Sequence, residues 1–234
     1  KIFFLSYHYY FDIDKHILVN NSESLNLLNL NHKNIQKSID ISEEVVESVK
    51  NKLAINGINN FIIFHPSAQY KYKIYPRHLR DELLTILNEL EIPILITGSK
   101  NKIDSKIKKE IPLASNIYNF IGKTSLEEYF VLSQLSMAYI GMDTLNMHIA
   151  ASQNKPIFAI FGPTNLKMWS PWSNFLQKAT IENKPIQTYH NITLFQSSLP
   201  CKSCGLIGCG SNHNTDDFIY NIKPKDSLSL VNKN

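Results

Sequence analysis

Arginine is nearly absent from this chain of 234 residues, although its formal net charge is +4. Arg77 and Arg80 are the only two arginines, and lysine supplies the rest of the positive charge. Proteins that read nucleic acids usually rely on arginine forks for bases and phosphates, so the composition argues against a nucleic-acid partner. A mild lysine excess suits an acidic small molecule or an anionic membrane surface equally well.

Cysteine and long apolar runs are also scarce. The three cysteines are confined to the end of the chain and odd in number, so they do not form the framework of a secreted disulfide-rich protein. We therefore expect a reducing, cytoplasmic compartment. No segment approaches the roughly 18 apolar residues of a membrane span, and residues 1–5 are too short an apolar start for a signal peptide. The chain begins without Met, as expected of a piece of a longer protein.

Several known signatures are missing as well. The chain has no Walker loop, no Gly-x-Gly-x-x-Gly and no Gly-x-Ser-x-Gly nucleophile elbow. With only 8 Gly and 10 Pro but 43% hydrophobic residues, it is neither collagen-like nor disordered.

Short apolar runs alternate with amphipathic stretches from residue 61 to 162. The apolar runs, typical of strands buried on both faces, are 61–64, 93–96, 117–121, 138–141 and 156–161. The stretches with helical periodicity are 78–90, 103–111, 125–135 and 144–152. This alternation predicts a Rossmann-like α/β fold, a parallel sheet with helices on both faces. A further helix is expected from Ser42 to a stop at Asn56-Gly57, whereas residues 1–40 have a polar, irregular pattern.

The loops after the strands are the candidate site, because parallel α/β sheets bind ligands outside the carboxyl ends of their strands. The loop at 65–76 combines small residues with lysines, which together can hold a phosphate. The loop at 141–148 leads into a helix that Asp143 or Thr144 can cap, and a helix start attracts an anion. Solvated surface lysines and an ordinary helix cap are the structural alternatives.

A compressed Cys cluster near the end of the chain is a second candidate. Cys201, Cys204, Cys209 and His213 have the inventory of a tetrahedral zinc site. Reduced thiols in a C-terminal loop are the alternative reading, and we expect neither a bound metal nor a cofactor.

Taken together, the loops resemble those of glycosyltransferase family 9, the lipopolysaccharide heptosyltransferases. The matching elements keep the order of the family: Lys73-Ile74-Tyr75-Pro76, Thr97-Gly98, Gly-Lys-Thr-Ser-Leu at 122–126, the Asp-Thr-Leu-Asn-Met-His motif at 143–148, and Phe161-Gly162-Pro163-Thr164. The resemblance covers about residues 8–225 and is strongest from 61 to 172. It implies a GT-B fold, in which two Rossmann-like domains face a cleft.

The resemblance also implies a site for a nucleotide-sugar donor. By position, Lys73 would bind the diphosphate, Ser67 and Ala68 would line the phosphates, and Thr124 with Leu126 would contact the base. The other implied substrate-binding residues are Thr97, Gly98, Lys100, Asp143, Thr144, Leu145 and His148.

Three positions depart from the family pattern. Leu145 replaces a Gly, which removes easy access to positive φ and crowds a phosphate. Lys100 stands where the family often has an acidic residue. The fourth Cys of the family's tail is absent, which leaves only His213 or Asp216 as a further metal ligand.

The implied domains are a remnant of the N-terminal, acceptor-side domain at 1–40, a linker helix at 41–60, the donor-binding domain at 61–190 and a Cys-containing tail at 191–234. The general base is expected in the N-terminal part that this chain largely lacks, so no catalytic residue is assigned.

The implied activity is inverting, metal-independent transfer of a sugar to a lipopolysaccharide or lipooligosaccharide core. ADP-heptose is the favoured donor and a lipid-linked saccharide the acceptor, with peripheral contact at the inner face of the inner membrane. The alternatives are a nucleotide-sugar epimerase, another GT-B transferase, or a non-catalytic module that binds a nucleotide sugar.

Overall fold

The computed structural model describes residues 8–30, 39–197, 219 and 222–224. Within them, seven strands form one sheet in the order β3-β2-β1-β4-β5-β7-β6. The strands are β1 (Ile62–His65), β2 (Ile94–Ile96), β3 (Ile117–Asn119), β4 (Ala138–Met142), β5 (Ile157–Phe161), β6 (Ile186–Tyr189) and β7 (Ile192–Gln196). The strand pairs are parallel except for the β6–β7 hairpin, which is antiparallel.

Helices connect the strands and confirm the predicted alternation. They are α1 (Ile17–Leu27), α2 (Glu43–Ile55), α3 (Arg77–Asn88), α4 (Lys102–Glu110), α5 (Leu126–Leu135), α6 (Leu145–Ser152) and α7 (Leu166–Trp169). A 3₁₀ turn at Lys71–Lys73 follows β1. Each strand and helix predicted between residues 61 and 161 is present, with its ends shifted by no more than two residues. Within the described parts of the chain, no helix is long and apolar enough to cross a membrane.

Apolar side chains cover both faces of the sheet. Ile63 and Phe64 are adjacent in β1 and both fully buried, yet they belong to different clusters because successive strand residues point to opposite faces. The cluster around Ile63 includes residues of α2, α5 and α6, and the cluster around Phe64 includes residues of α3 and α4. Burying a side chain of this size contributes about 2 kcal/mol.

The prediction that residues 1–40 are irregular was wrong for α1. Hydrogen bonds rather than an apolar stripe hold this helix: the amide of the fully buried Asn20 donates to the carbonyls of Asp12 at 2.8 Å and Lys15 at 3.2 Å. His16 caps the helix by accepting from the Leu18 N–H, and its other ring nitrogen lies 2.8 Å from the carbonyl oxygen of Ser170. Contacts with the rest of the protein thus stabilise a helix that its own sequence would leave marginal.

The sheet extends past residue 190. β6 runs into a turn at His190 and Asn191, and β7 follows it, pairing antiparallel with β6 and parallel with β5. The last two strands of the sheet therefore follow the five that the apolar runs predicted.

Candidate functional site

A cavity of about 720 Å³ opens above the carboxyl ends of β1, β2, β3 and β4. Its walls are the loops that follow these four strands, as expected for a parallel sheet. The predicted binding residues that line it are Ser67, Ala68, Lys73, Gly98, Thr124, Leu126, Asp143, Thr144 and Leu145. The structure thus brings nine of the twelve predicted residues into one cavity.

The other three predicted residues do not line this cavity. Thr97 is buried, and its hydroxyl lies 3.0 Å from Nδ1 of His65. Lys100 is exposed and packs beside Gly122, where an added Cβ would lie 3.1 Å from its Cγ. His148 is half-buried in the first half of α6. The position of the cavity therefore does not support the substrate contacts that the resemblance implies for these three residues.

Two lysines line the cavity, Lys73 and Lys102, and Lys73 is held in an ion pair. The ammonium of Lys73 donates to Oδ2 of Asp143 at 2.9 Å, and the two side chains are 20% and 7% exposed. The Lys73 N–H donates to the carbonyl of Tyr70, which closes the 3₁₀ turn after β1. An anion in the cavity must therefore compete with the carboxylate of Asp143 for the ammonium.

The start of α6 forms the second anion-attracting feature. Thr144 is its N-cap in an extended conformation and makes no side-chain capping hydrogen bond. Because Thr144, Leu145 and Asn146 line the cavity, the positive end of the α6 dipole lies at its wall. Leu145 is the first helical residue and is not among the residues with positive φ, so its backbone does not use the conformation to which a glycine would give easy access.

A buried histidine connects three of the loops. Nδ1 of His65 lies 3.0 Å from the hydroxyl of Thr97 and 3.2 Å from the amide nitrogen of Asn146 in α6. Burial lowers the pKa of His65 from 6.5 to about 4, although the charge of Asp104 and a hydrogen bond with Thr97 act in the opposite direction. His65 is therefore neutral at pH 7 and joins the ends of β1 and β2 to the first turn of α6.

The pKa of His65 leads to a pH-dependent stability difference. Unfolding releases a histidine that binds a proton below pH 6.5, so the stability that neutral His65 contributes is present above pH 6.5 and is lost as the pH falls towards 4. We expect the stability advantage of the wild type over His65→Asn to shrink by about 2 kcal/mol between pH 7 and pH 5 in urea unfolding. A stability difference between wild type and His65→Asn that does not change with pH would contradict the lowered pKa of His65. His190→Asn, in an exposed turn, is the control.

The loop carrying Thr124 and Leu126 is anchored by α2. Ser125 and Glu128 form a capping box at the start of α5. The carboxylate of Glu128 also accepts hydrogen bonds from Ser48 at 2.7 Å and from Lys52 at 2.6 Å. Burial raises the pKa of Glu128, but the bonds from Lys52, Ser48 and Ser125 outweigh it and lower the pKa. Glu128 thus stays ionised and fixes the loop against α2.

The turn after β2 is organised by Asp104, which the sequence pattern did not single out. Its side chain is 2% exposed, and Oδ2 accepts from the N–H of Ser99 at 2.6 Å and the amide of Asn101 at 3.0 Å. The lining residues that were missed are His65, Gln69, Tyr70, Ser99, Asn101, Lys102, Ile103, Asp104, Ser125, Tyr129 and Asn146. Four of these eleven, His65, Gln69, Tyr70 and Asn146, lie in the two loops already identified, so reading every position of those loops would have found them. The other seven lie at 99–104 and 125–129, around the starts of α4 and α5.

The proposed metal ligands Cys201, Cys204, Cys209 and His213, with Asp216, lie outside the described residues. Among the residues that the structure does describe, no three His, Cys, Asp or Glu side chains are grouped so that they could hold a metal ion.

Comparisons with known sequences agree with these loops. A sequence model of glycosyltransferase family 9 (heptosyltransferase) matches residues 2–196. Lipopolysaccharide heptosyltransferase 3 of Escherichia coli K12 is 22% identical over 182 residues, 76% of this chain and 53% of the relative. Lipooligosaccharide heptosyltransferase 2 of Haemophilus influenzae is 29% identical over 143 residues, 59% of this chain and 40% of the relative. The matches thus cover about half of these relatives or less.

Solved structures share the fold. A glycosyl transferase family 9 protein from Veillonella parvula superposes with a TM-score of 0.75 at 16% identity, over 98% of this chain and 63% of that one. E. coli heptosyltransferase WaaC with ADP gives 0.65 at 12% identity, over 99% of this chain and 60% of that one. With its GT-B-type, Rossmann-like sheet and a family match over most of its length, the chain belongs to glycosyltransferase family 9.

Proposed function

We propose that the cavity binds the nucleotide diphosphate of a sugar donor, and that the protein transfers a heptose from ADP-heptose to a lipopolysaccharide core. The observation that carries this proposal is the ammonium of Lys73 beside the start of α6, in the cavity at the carboxyl ends of the strands. E. coli WaaC, which has the same fold, is described with ADP and with ADP-2-deoxy-2-fluoro heptose.

The cavity has a suitable length for such a ligand. It crosses the ends of β3, β2, β1 and β4, which are neighbours in the sheet. Three strand spacings of about 4.8 Å give roughly 14 Å. The base lies at the β3 end, against Thr124 and Leu126. The diphosphate lies between β1 and β4, where Lys73 and the start of α6 face the cavity.

The chemistry that follows is a direct displacement with inversion. The acceptor hydroxyl oxygen attacks the anomeric carbon, the bond to the diphosphate breaks, and a general base takes the hydroxyl proton. Negative charge grows on the departing diphosphate, where Lys73 and the positive end of the α6 dipole stabilise it. These two groups do the work that a bound metal would otherwise perform. A lipid-linked acceptor places the reaction at the inner face of the membrane.

Thermal unfolding with ADP, GDP, UDP and CMP at millimolar concentration tests the donor site. We expect ADP to raise the unfolding temperature, because a ligand at 100 times its dissociation constant adds about 2.7 kcal/mol of stability. A shift with UDP, GDP or CMP but not ADP would keep a nucleotide site and contradict the adenine donor. No shift with any of the four nucleotides would overturn the donor site of this chain.

A further inference from the structure

Two exposed apolar side chains line the cavity beside its charged end. Tyr70, in the loop after β1, is 46% exposed, and Leu145, at the start of α6, is 58% exposed. Exposed apolar side chains that line a cavity are typical of ligand-binding surfaces. The ion pair of Lys73 and Asp143 lies on the same two loops, so this apolar surface adjoins the proposed diphosphate position.

The ring of Tyr70 is held in place by its neighbours. It stacks on the ring of Tyr72 with centroids 5.5 Å apart and an angle of 19° between the planes. Its carbonyl accepts a hydrogen bond of 2.9 Å from the N–H of Lys73. A tyrosine has only two side-chain torsions, so little freedom remains to be lost when a ligand covers the ring. The ring and the ammonium of Lys73 are thus positioned by one short turn.

The order of groups in a nucleotide sugar decides what reaches this surface. With the base at the β3 end and the diphosphate between β1 and β4, the nucleotide occupies the length of the cavity. The glycosyl group follows the diphosphate and comes to lie beside Tyr70 and Leu145. A sugar ring presents a face of C–H bonds, which packs favourably on the electron-rich face of an aromatic ring.

We propose that the ring of Tyr70, held by its stacking on Tyr72, is the platform on which the glycosyl group of the donor lies, with Leu145 completing the apolar surface. The platform rests on the proposed donor site. In this proposal Tyr70 contacts the sugar and not the nucleotide, and Tyr72 is a positioning residue because it holds the ring of Tyr70.

Calorimetric titration of the 234-residue chain with ADP and with ADP-heptose tests the platform. We expect Tyr70→Ala to weaken ADP-heptose binding about tenfold while ADP binding stays within twofold of wild type. Tyr70→Phe keeps the ring and should retain both affinities. Tyr72→Ala should weaken ADP-heptose selectively but less than Tyr70→Ala. Unchanged ADP binding also shows that each variant is folded.

The matched control is Phe175→Ala. Phe175 is an exposed aromatic residue stacked on His190 with ring centroids 4.3 Å apart, and it does not line the cavity, so both affinities should be retained. Equal losses of ADP and ADP-heptose affinity in Tyr70→Ala would overturn the platform and place Tyr70 against the nucleotide. Unchanged affinity of Tyr70→Ala for both ADP and ADP-heptose would also overturn the platform, even if the variant were impaired towards the acceptor. Failure of the wild type to bind either ligand would overturn the donor site itself.

Discussion

Replacing Lys73 by alanine is expected to raise the dissociation constant for ADP about 100-fold and to abolish measurable sugar transfer. The variant loses the charge-assisted hydrogen bond that the proposed site gives the diphosphate, and such a bond is worth about 1.5–3 kcal/mol. It also leaves the carboxylate of Asp143, 7% exposed, without the ammonium that lies 2.9 Å away in the free protein. An unpaired carboxylate at that place repels the incoming diphosphate, so the loss exceeds that of one contact.

A double variant separates the two effects. In Lys73→Ala/Asp143→Asn the repelling charge is gone, and ADP affinity should recover to about tenfold below wild type. Lys71→Ala is the matched control, because Lys71 is an exposed lysine of the same 3₁₀ turn that does not line the cavity. Calorimetry with ADP measures the three affinities. Unchanged ADP affinity and transfer in Lys73→Ala would refute the role of this lysine.

Gly141→Ala is expected to cost at least about 3 kcal/mol of folding stability, at the upper end for overpacking of a core. A Cβ at Gly141 would lie 2.5 Å from the carbonyl oxygen of His65 and 2.8 Å from the hydroxyl of Tyr139. His65 is the residue opposite Gly141 in the β1–β4 pairing, so the backbone itself would have to move. The shift would spread to the His65 side chain and its contacts beneath the cavity.

Gly162→Ala provides the comparison for this prediction. Gly162 directly follows β5, and a Cβ there would meet Cδ1 of Ile219 at 3.4 Å, an ordinary van der Waals contact. We expect its stability in urea unfolding to stay within about 1 kcal/mol of wild type. If Gly141→Ala were as stable as Gly162→Ala, the close approach of β1 and β4 would not constrain this position.

The central strands were predictable because burial on both faces leaves an uninterrupted apolar run, as in Phe158–Phe161 of β5. β6 carries the alternating residues of Ile186–Tyr189, of which Gln187 alone is buried. Its hairpin turn places His190 at a φ of 51° without the glycine that usually marks such a turn. Neither the alternation in β6 nor the turn without glycine stands out in the sequence. The N-cap of α1 likewise depends on a contact with the distant Ser170.

The candidate site was predictable to the extent that it follows strand ends. Ser67 and Lys73 come shortly after β1 in the sequence, so the position of the strand places them at the cavity. Which side chains pair within the site could not be predicted, because Lys73 and Asp143 are 70 positions apart and His65 and Asn146 are 81 apart. The spacing of residues in one chain does not determine which side chains meet across two loops.

Both tryptophans of the chain, Trp169 and Trp172, lie in or just after α7. The ring of Trp172 packs against His16, the N-cap of α1, with centroids 5.1 Å apart. Neither tryptophan lines the cavity. Tryptophan emission, excited where tyrosine does not absorb, therefore reports on the packing of α1 against the segment around Ser170 rather than on occupancy of the cavity.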